Sequence, residues 1–417
     1  MCKVKSVREN GQSLPEQGVA MTQRHIAVIA PPWYPVPPKG YGGIELVVYL
    51  LVTALRKQGV RVTLIGSEGS LPGTVALAPS EWSADLGGQN GISREVSYVS
   101  RVLRTLRSMP DIDVIHDHAG WTSMLACSVA NIAPVIHTVH GPLYEPQRTV
   151  YHDIDPNGSV GLAAISGAQR ASDPTLNWVG TVHNAVDLDA LWVGDRSAKE
   201  PYLLCLARIT PDKGQHHAIE VAKRTGYRLV LAGKVGELKT EHEYFEEQVK
   251  PHIDNDRVIY YPNIAGQQKA DIIARATALL APICWPEPFG LSMVEAMVSG
   301  TPTIAFAQGA APELITNGLT GATVDTVDEM VDVIEHINDF DPKSCSDAAR
   351  AEFSPMTMAE RYRELYEVTY HSTMRSVPTA DKPLSATRVT GHAASQVAQN
   401  HHAPTSTVEQ EPAEPVA

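Results

Sequence analysis

The chain has 417 residues, 43% of them hydrophobic and 6% aromatic, and a formal charge of −13. That is room for two ordinary globular domains, and too apolar a composition for a chain disordered throughout. The acidic balance argues against sequence-independent nucleic-acid binding, which needs a basic surface to displace counterions, and against polybasic docking on anionic lipid.

Residues 1–20 are polar and charged and lack the apolar core of a signal peptide, so a disordered extension is expected over 1–23, with Met21 just ahead of the first convincing strand. An apolar strand at 26–30 runs into a proline- and glycine-rich loop at 31–43, and a long helix starts near Ile44. Strand, glycine loop, helix is the opening of a Rossmann-like unit. This helix holds the longest strongly apolar run, 46–55. The run is about half of what a bilayer requires, so it reads as a buried helix, and neither a transmembrane segment nor membrane association is expected. Gln58-Gly59 marks the helix end, with the glycine in a left-handed cap. A strand at 60–66 follows, and 67–91 reads as a loose region rich in loop. A helix around 94–106 leads to a strand at 114–116, and further strands are expected at 134–139, 161–165 and 179–183. Strands alternating with helices predict a parallel sheet covered on both faces.

The alternation is interrupted by polar residues between Val186 and Tyr202, then restarts. Strands are expected at 202–207, 228–232, 258–261, 278–283 and 303–306, and helices at 214–225, 269–276, 291–299 and 328–337. The fold class is therefore α/β, with one domain over 24–190 and a second over 191–354. A charged amphipathic helix at 355–370 follows, and 372–417, which has no periodicity, is expected to be a disordered tail. Cys2, Cys127, Cys205, Cys284 and Cys345 show no paired spacing, so neither a disulfide framework nor a zinc knuckle is indicated, and a cytoplasmic location fits.

The most informative stretch is Pro286-Glu287-Pro288-Phe289-Gly290-Leu291-Ser292-Met293-Val294-Glu295, with the apolar run 278–283 before it and Ser299-Gly300-Thr301-Pro302 after it. It sets two carboxylates where a buried strand gives way to a helix. The N–H groups of Phe289, Gly290 and Leu291 are expected to point out of the helix start, where unpaired donors and the macrodipole favour a diphosphate. Acids beside an anion site make sense when the ligand also carries hydroxyls, because Glu287 and Glu295 can accept bonds from sugar or ribose O–H groups. That combination points to a sugar nucleotide.

Arg208 and Lys213, in Ala207-Arg208-Ile209-Thr210-Pro211-Asp212-Lys213-Gly214, follow the first strand of the second domain. The crevice of an open sheet lies beyond the carboxyl ends of its strands, so both cations should face the Glu287 helix start, hold a diphosphate and stabilise a departing one. Gly42 and Gly43, with Gly40, lack the Cβ that would keep backbone from a diphosphate approaching from the opposite domain. His140 ends its strand and is expected to bond a donor-sugar hydroxyl or the acceptor. His118 and Trp121 are expected to line the acceptor cleft, with His116 packed inward. Imidazoles at 116, 118, 137 and 140 bring a metal site to mind. The cations and the helix start can serve in place of an ion, however, and no metal or cofactor is expected. Asp111-Ile112-Asp113 precedes its strand and Asp153-Ile154-Asp155 has no strand leading into it, so neither suits a metal-binding acid pair. Gly233 and Lys234 either border the nucleobase or diphosphate or form a plain turn. Glu313 is expected to cap the helix that follows it.

The run from Glu287 to Glu295, with Glu-Pro-Phe-Gly-Leu and the downstream Gly-Thr-Pro, resembles the Glu, seven residues, Glu signature of the retaining glycosyltransferases of family 4. The resemblance extends over residues 26–370 and takes in Arg208 with Lys213-Gly214, the Gly42-Gly43 loop, His140 and the Gly-x-x-Pro-Glu turn at Glu313. It implies the GT-B fold, two Rossmann-like domains facing across a cleft, with a closing helix over 355–371 crossing back to the N-terminal one. It also implies metal-independent transfer, with retention, of a sugar from a nucleoside diphosphate to a hydroxyl acceptor, UDP being the first expectation and GDP the next. Glu287 would orient the donor sugar, Glu295 the ribose, and a leaving phosphate oxygen would take the acceptor's proton. The residues themselves leave open a sugar-nucleotide epimerase of the same fold and a non-catalytic sugar-nucleotide-binding protein. A phosphorylase would need a lysine motif for pyridoxal phosphate, and none is found. Loops 67–91 and 143–156 are where base, sugar and acceptor would be chosen.

Overall fold

Apolar runs bounded by glycine and proline become parallel strands with both faces covered. β1 (His25–Ile29) is buried along its whole length, as a central strand of such a sheet must be. This is seen in a computed structural model that describes residues 24–40, 42–155 and 158–376. The expected extension over 1–23 and the expected tail beyond Ser376 lie outside the described residues.

Strand β1 leads through the glycine loop into α1 (Gly43–Lys57) and β2 (Arg61–Ser67). Next come β3 (Val75–Ala78), α2 (Gly91–Arg107), β4 (Val114–Asp117), α3 (Trp121–Ala130), β5 (Val135–Val139), α4 (Gln147–Ile154), β6 (Val160–Ala164), α5 (Gly167–Ser172) and β7 (Trp178–Thr181). Among the described residues these strands form one sheet in the order β3-β2-β1-β4-β5-β6-β7, with Ile26 of β1 set against Val62 on one side and Val114 on the other. The second lobe repeats the plan. Its elements are β8 (Glu200–Leu206), α6 (Gln215–Thr225), β9 (Arg228–Ala232), α7 (Lys239–Tyr244), β10 (Val258–Tyr261), α8 (Gly266–Arg275), β11 (Ala276–Ala281), α9 (Leu291–Val298), β12 (Thr303–Phe306), α10 (Ala311–Leu314), β13 (Gly321–Val324), α11 (Val327–Glu335) and α12 (Pro342–Glu352). Its sheet runs β10-β9-β8-β11-β12-β13. Strand order reverses between β1 and β4 in one lobe and between β8 and β11 in the other. Loops after those strands splay apart and leave a crevice. Both crevices sit where the sequence gathers its glycines, histidines, cations and acids.

The last helix, α13 (Pro355–Ser376), returns to the first lobe. Met358, Ala359, Tyr362 and Tyr366 are buried in the same cluster as Val48, Leu51 and Val114. The Tyr362 hydroxyl bonds Thr138 Oγ1 at 2.9 Å and the Tyr366 hydroxyl bonds His116 Nδ1 at 2.8 Å. The helix therefore stitches the far end of the chain to β4 and β5.

The structure refines the expected elements in three places. Residues 67–91 are not all loop, because Val75-Ala76-Leu77-Ala78 adds an edge strand to β2, and Trp82 is buried under the guanidinium groups of Arg94 and Arg101 at 5.0 and 5.3 Å. So short a strand beside Gly73 and Pro79 shows no period of its own. The closing helix runs to Ser376, past residue 371. Arg24 lies 3.5 Å over the Tyr370 ring and pairs with Glu367, which fixes the turns before that end. Helices α7, α10 and α12 and strand β13 were not among the expected elements, being short or polar.

Candidate functional site

Strand β11 ends at Ala281, and the chain turns through Trp285-Pro286-Glu287-Pro288 before α9 begins. The Phe289 side chain points inward, with its ring centroid 5.9 Å from His183 and 6.2 Å from Phe353, and is 3% exposed. Gly290 then adopts φ 90°, and α9 starts with no side-chain cap. Among the described residues no acceptor is recorded for the N–H groups of Gly290, Leu291 and Ser292. Phe289 thus anchors the loop while the amides behind it stay unfilled, which is the condition for receiving an anion.

Lys213 ends a single 3-10 turn, Pro211–Lys213, and its Nζ pairs with Glu287 Oε2. The ammonium also lies 4.9 Å from the centre of the Trp285 ring. The next residue, Gly214, has φ 69°, and a Cβ there would come within 2.0 Å of Pro282 O. Only glycine lets the loop after β8 lie against the loop after β11, and Cys284 N donates to Asp212 O across the same seam at 2.8 Å. Arg208 is exposed, its carbonyl oxygen accepts from Gln215 Nε2, and its guanidinium has no partner among the described residues. Glu295, 9% exposed on α9, accepts from Lys269 Nζ of α8 at 2.6 Å through Oε1. Gly233 forms a turn at φ 145° against Ala207 O, and Lys234 O accepts from Ile209 N, so this pair braces the backbone beside Arg208. The Lys234 side chain is exposed.

From the other lobe, Gly42 (φ 147°) caps α1, and a Cβ on Gly43 would stand 3.6 Å from Leu291 Cδ1. The glycine loop therefore faces the start of α9. Glu45, one turn into α1, is 4% exposed. Burial pushes its carboxyl up to about 7, against the pull of a bond from its own backbone amide. Nothing in the sequence reading singled it out.

The histidines lie at the carboxyl ends of β4 and β5. His116 is fully buried between Tyr366 and Thr138, as expected. His137 Nδ1 bonds Asp117 Oδ2 at 2.6 Å. His118 is corrected: it is 2% exposed and does not line the cleft, because its Nδ1 turns to His140 Nε2 at 2.8 Å. His140, not His118, is the partly exposed member of that pair. Trp121 is 41% exposed at the start of α3, edge-on to Tyr151. Among the described residues no group of three or more His, Cys, Asp and Glu is placed to hold a metal ion. Asp113 instead accepts from His25 N and pairs with Arg24, and Asp155 accepts from Ser159 and Val160 N.

Glu313 is a second correction. It does not cap the helix that follows: its carboxylate reaches the other lobe, where it accepts from Gly167 N at 2.7 and 2.9 Å, from Ala168 N at 3.3 Å and from His183 Nε2 at 2.7 Å. Burial opposes ionisation there, yet the bonds from His183 and the two amides hold the carboxyl below its ordinary value. Close to it a cavity of about 80 Å³ is walled by Leu143, Tyr144 and Gln169 from one lobe and Glu287, Pro288 and Gly309 from the other. Tyr144, on its wall, also meets Trp285 with ring centroids 6.0 Å apart. Tyr144, Trp285, Lys269 and Glu45 are the residues of this region that sequence reasoning missed.

Two family descriptions match the chain: "Glycosyltransferase Family 4" over residues 41–190 and "Glycosyl transferases group 1" over residues 191–351. The D-inositol 3-phosphate glycosyltransferase of Mycolicibacterium smegmatis is 26% identical over 384 residues, covering 79% of this chain and 86% of that protein. Among solved structures, AviGT4, a glycosyltransferase involved in avilamycin A biosynthesis, superposes with a TM-score of 0.64 at 26% identity over 84% of this chain and 98% of its own. Sucrose-phosphate synthase from Thermosynechococcus elongatus, at 19% identity, covers 84% of this chain and all of its own with a TM-score of 0.65, and shares the fold. Anabaena HepE, solved with UDP and glucose, does likewise at 18% identity and a TM-score of 0.60, over 83% of this chain and 100% of its own. Among the described residues no helix is long and apolar enough to cross a membrane.

Proposed function

The chain belongs to glycosyltransferase family 4 and has the GT-B fold, and on that premise we propose that it transfers a sugar, with retention and without a metal, from a nucleoside diphosphate to a hydroxyl acceptor. The observation that carries this reading is the meeting of Lys213 with Glu287 at the uncapped start of α9, opposite the Gly42-Gly43 loop. Lys213, Arg208 and the amides of Gly290 and Leu291 receive the diphosphate. Glu287 exchanges its lysine for donor-sugar hydroxyls. Lys269 occupies one oxygen of Glu295 and leaves Oε2 for the ribose.

In the transfer the bond from the anomeric carbon to the diphosphate oxygen breaks, and the acceptor oxygen bonds that carbon on the same face. The acceptor proton passes to the leaving phosphate oxygen, so no protein base is required. Charge builds on the diphosphate as it departs, and fixed cations and dipoles stabilise it most at that moment. UDP is the first choice of donor nucleotide and GDP the next. The cytoplasm is the proposed location, since Cys127, Cys205, Cys284 and Cys345 are free thiols.

A thermal-shift panel of UDP, GDP, ADP and dTDP tests the nucleotide, because a ligand at a hundred times its Kd adds about 2.7 kcal/mol to stability. Turnover of the matching sugar nucleotide tests the chemistry. Glu287→Ala, Arg208→Ala and Lys213→Ala should each lower it by about 10²-fold or more with the fold intact. Near-normal turnover in all three refutes the assignment. An epimerised donor without acceptor, or tight binding with neither transfer nor hydrolysis, would replace it with an epimerase or a binding protein.

A further inference from the structure

His118 and His140 share one hydrogen bond, 2.8 Å between His118 Nδ1 and His140 Nε2. One ring must donate and the other accept, and the surroundings decide which. The remaining nitrogen of His118, Nε2, is buried with no partner among the described residues. If His140 donated, His118 would have to carry its own proton on Nε2, leaving a buried N–H without an acceptor. If His118 donates from Nδ1, its Nε2 keeps only a lone pair. Orphaned buried N–H groups are the rarer and costlier case. Burial and the neighbouring imidazoles hold both rings below the usual histidine range, His140 at about 3, so both are neutral. A neutral His140 that accepts at Nε2 carries its proton on Nδ1. That nitrogen has no partner among the described residues and is not among the buried orphan atoms.

We propose that His118 is a positioning residue: it donates to His140 and so presents His140 Nδ1–H to the cleft as a hydrogen-bond donor. His140 then gives its bond to an oxygen of the bound substrate, a sugar hydroxyl or a phosphate, and cannot serve as a base, since the accessible nitrogen already holds the proton. The inference rests on the glycosyltransferase reading for the identity of that oxygen, but the direction of the bond stands on the two rings alone.

The test pairs a spectrum with turnover. In long-range ¹H–¹⁵N spectra of protein labelled with ¹⁵N-histidine, the resonances lost in His140→Asn identify His140. The expected tautomer carries its proton on Nδ1, and a proton on Nε2 overturns the proposal. Hydrolysis of UDP-glucose supplies the second arm. Asparagine can place an N–H where histidine has Nδ1, whereas glutamine places it nearer Nε2. His118→Gln should therefore lose about tenfold in kcat/KM, the worth of one neutral hydrogen bond, while the protein stays folded by circular dichroism, and His118→Asn should recover most of the loss. A His118→Gln enzyme equal to wild type in both His140 tautomer and kcat/KM sinks the proposal. A wild-type protein that turns over no sugar nucleotide refutes the proposed function instead, and the spectrum still decides His118.

Discussion

Glu45→Gln should stabilise the protein above neutral pH and leave it nearly unchanged in acid. The carboxyl is 4% exposed at the start of α1, and its burial moves it from an ordinary 4.5 to about 7. The folded state therefore holds this proton more tightly than the unfolded chain between those values. Stability contributed by Glu45 falls as pH rises from about 4.5 to about 7, and the deficit is complete above that. Over such a shift it is about 3 kcal/mol. Glutamine has the shape of the protonated acid and never ionises, so it removes the deficit. The gap between variant and wild type should be close to zero at pH 4.5 and reach several degrees of melting temperature, on the order of 5–10 °C, at pH 8. Differential scanning calorimetry at matched ionic strength reads both values. A gap that is constant with pH would mean altered packing with no titration, and a gap that widens in acid would refute the sign.

The other outcomes concern contacts rather than titration. Glu287→Gln removes the charge that holds Lys213, so UDP alone should bind several-fold tighter by calorimetry while sugar-nucleotide turnover falls; weaker UDP binding would count against Lys213 as a diphosphate ligand. Glu313→Ala leaves two amides and His183 without their shared acceptor and should cost about 2 kcal/mol at neutral pH. Because that carboxyl is held below its ordinary value, the loss should fade as pH falls below about 4.5 in denaturation curves. Gly233→Ala would put a Cβ 1.9 Å from Ala207 O, and should lower the melting temperature and the turnover together by displacing Arg208. A neutral effect on both would show that the two loops separate freely.

Much of the architecture was legible because parallel strands buried on both faces are continuous apolar runs. The strands at 228–232, 258–261 and 303–306 fall where expected to the residue. What escaped was short or polar. The edge strand Val75–Ala78 has only four residues, and α12 buries Pro342, Cys345, Ser346 and Ala349, side chains too small or polar to stand out as an apolar stripe among its charged neighbours. Glu313 was misassigned for a different reason: the local rule of a carboxylate capping the helix beside it is outcompeted by two unfilled amides on the opposite lobe, which no sequence neighbour reveals.

The site divides along the same line. Groups tied to a strand end by a short loop were readable, since topology alone brings the loop after β8 to the loop after β11 and so Lys213 to Glu287. Groups supplied from elsewhere were not. Lys269 sits on a helix outside every recognisable motif, yet it neutralises Glu295, and Tyr144 reaches Trp285 from the other lobe. These additions resolve the oddity of acids beside an anion site. Each signature glutamate already faces a lysine, so neither stands as a naked charge, and among the described residues each keeps one oxygen without a protein partner. An incoming sugar nucleotide therefore meets a surface that is balanced in charge. On the proposed function it would gain phosphate contacts by taking Lys213 from Glu287 and hydroxyl contacts by taking Glu287 from Lys213, so a ligand with only one of the two groups would leave a charge unmatched. That exchange, if the proposed function holds, predicts tighter binding of an intact sugar nucleotide than of either half.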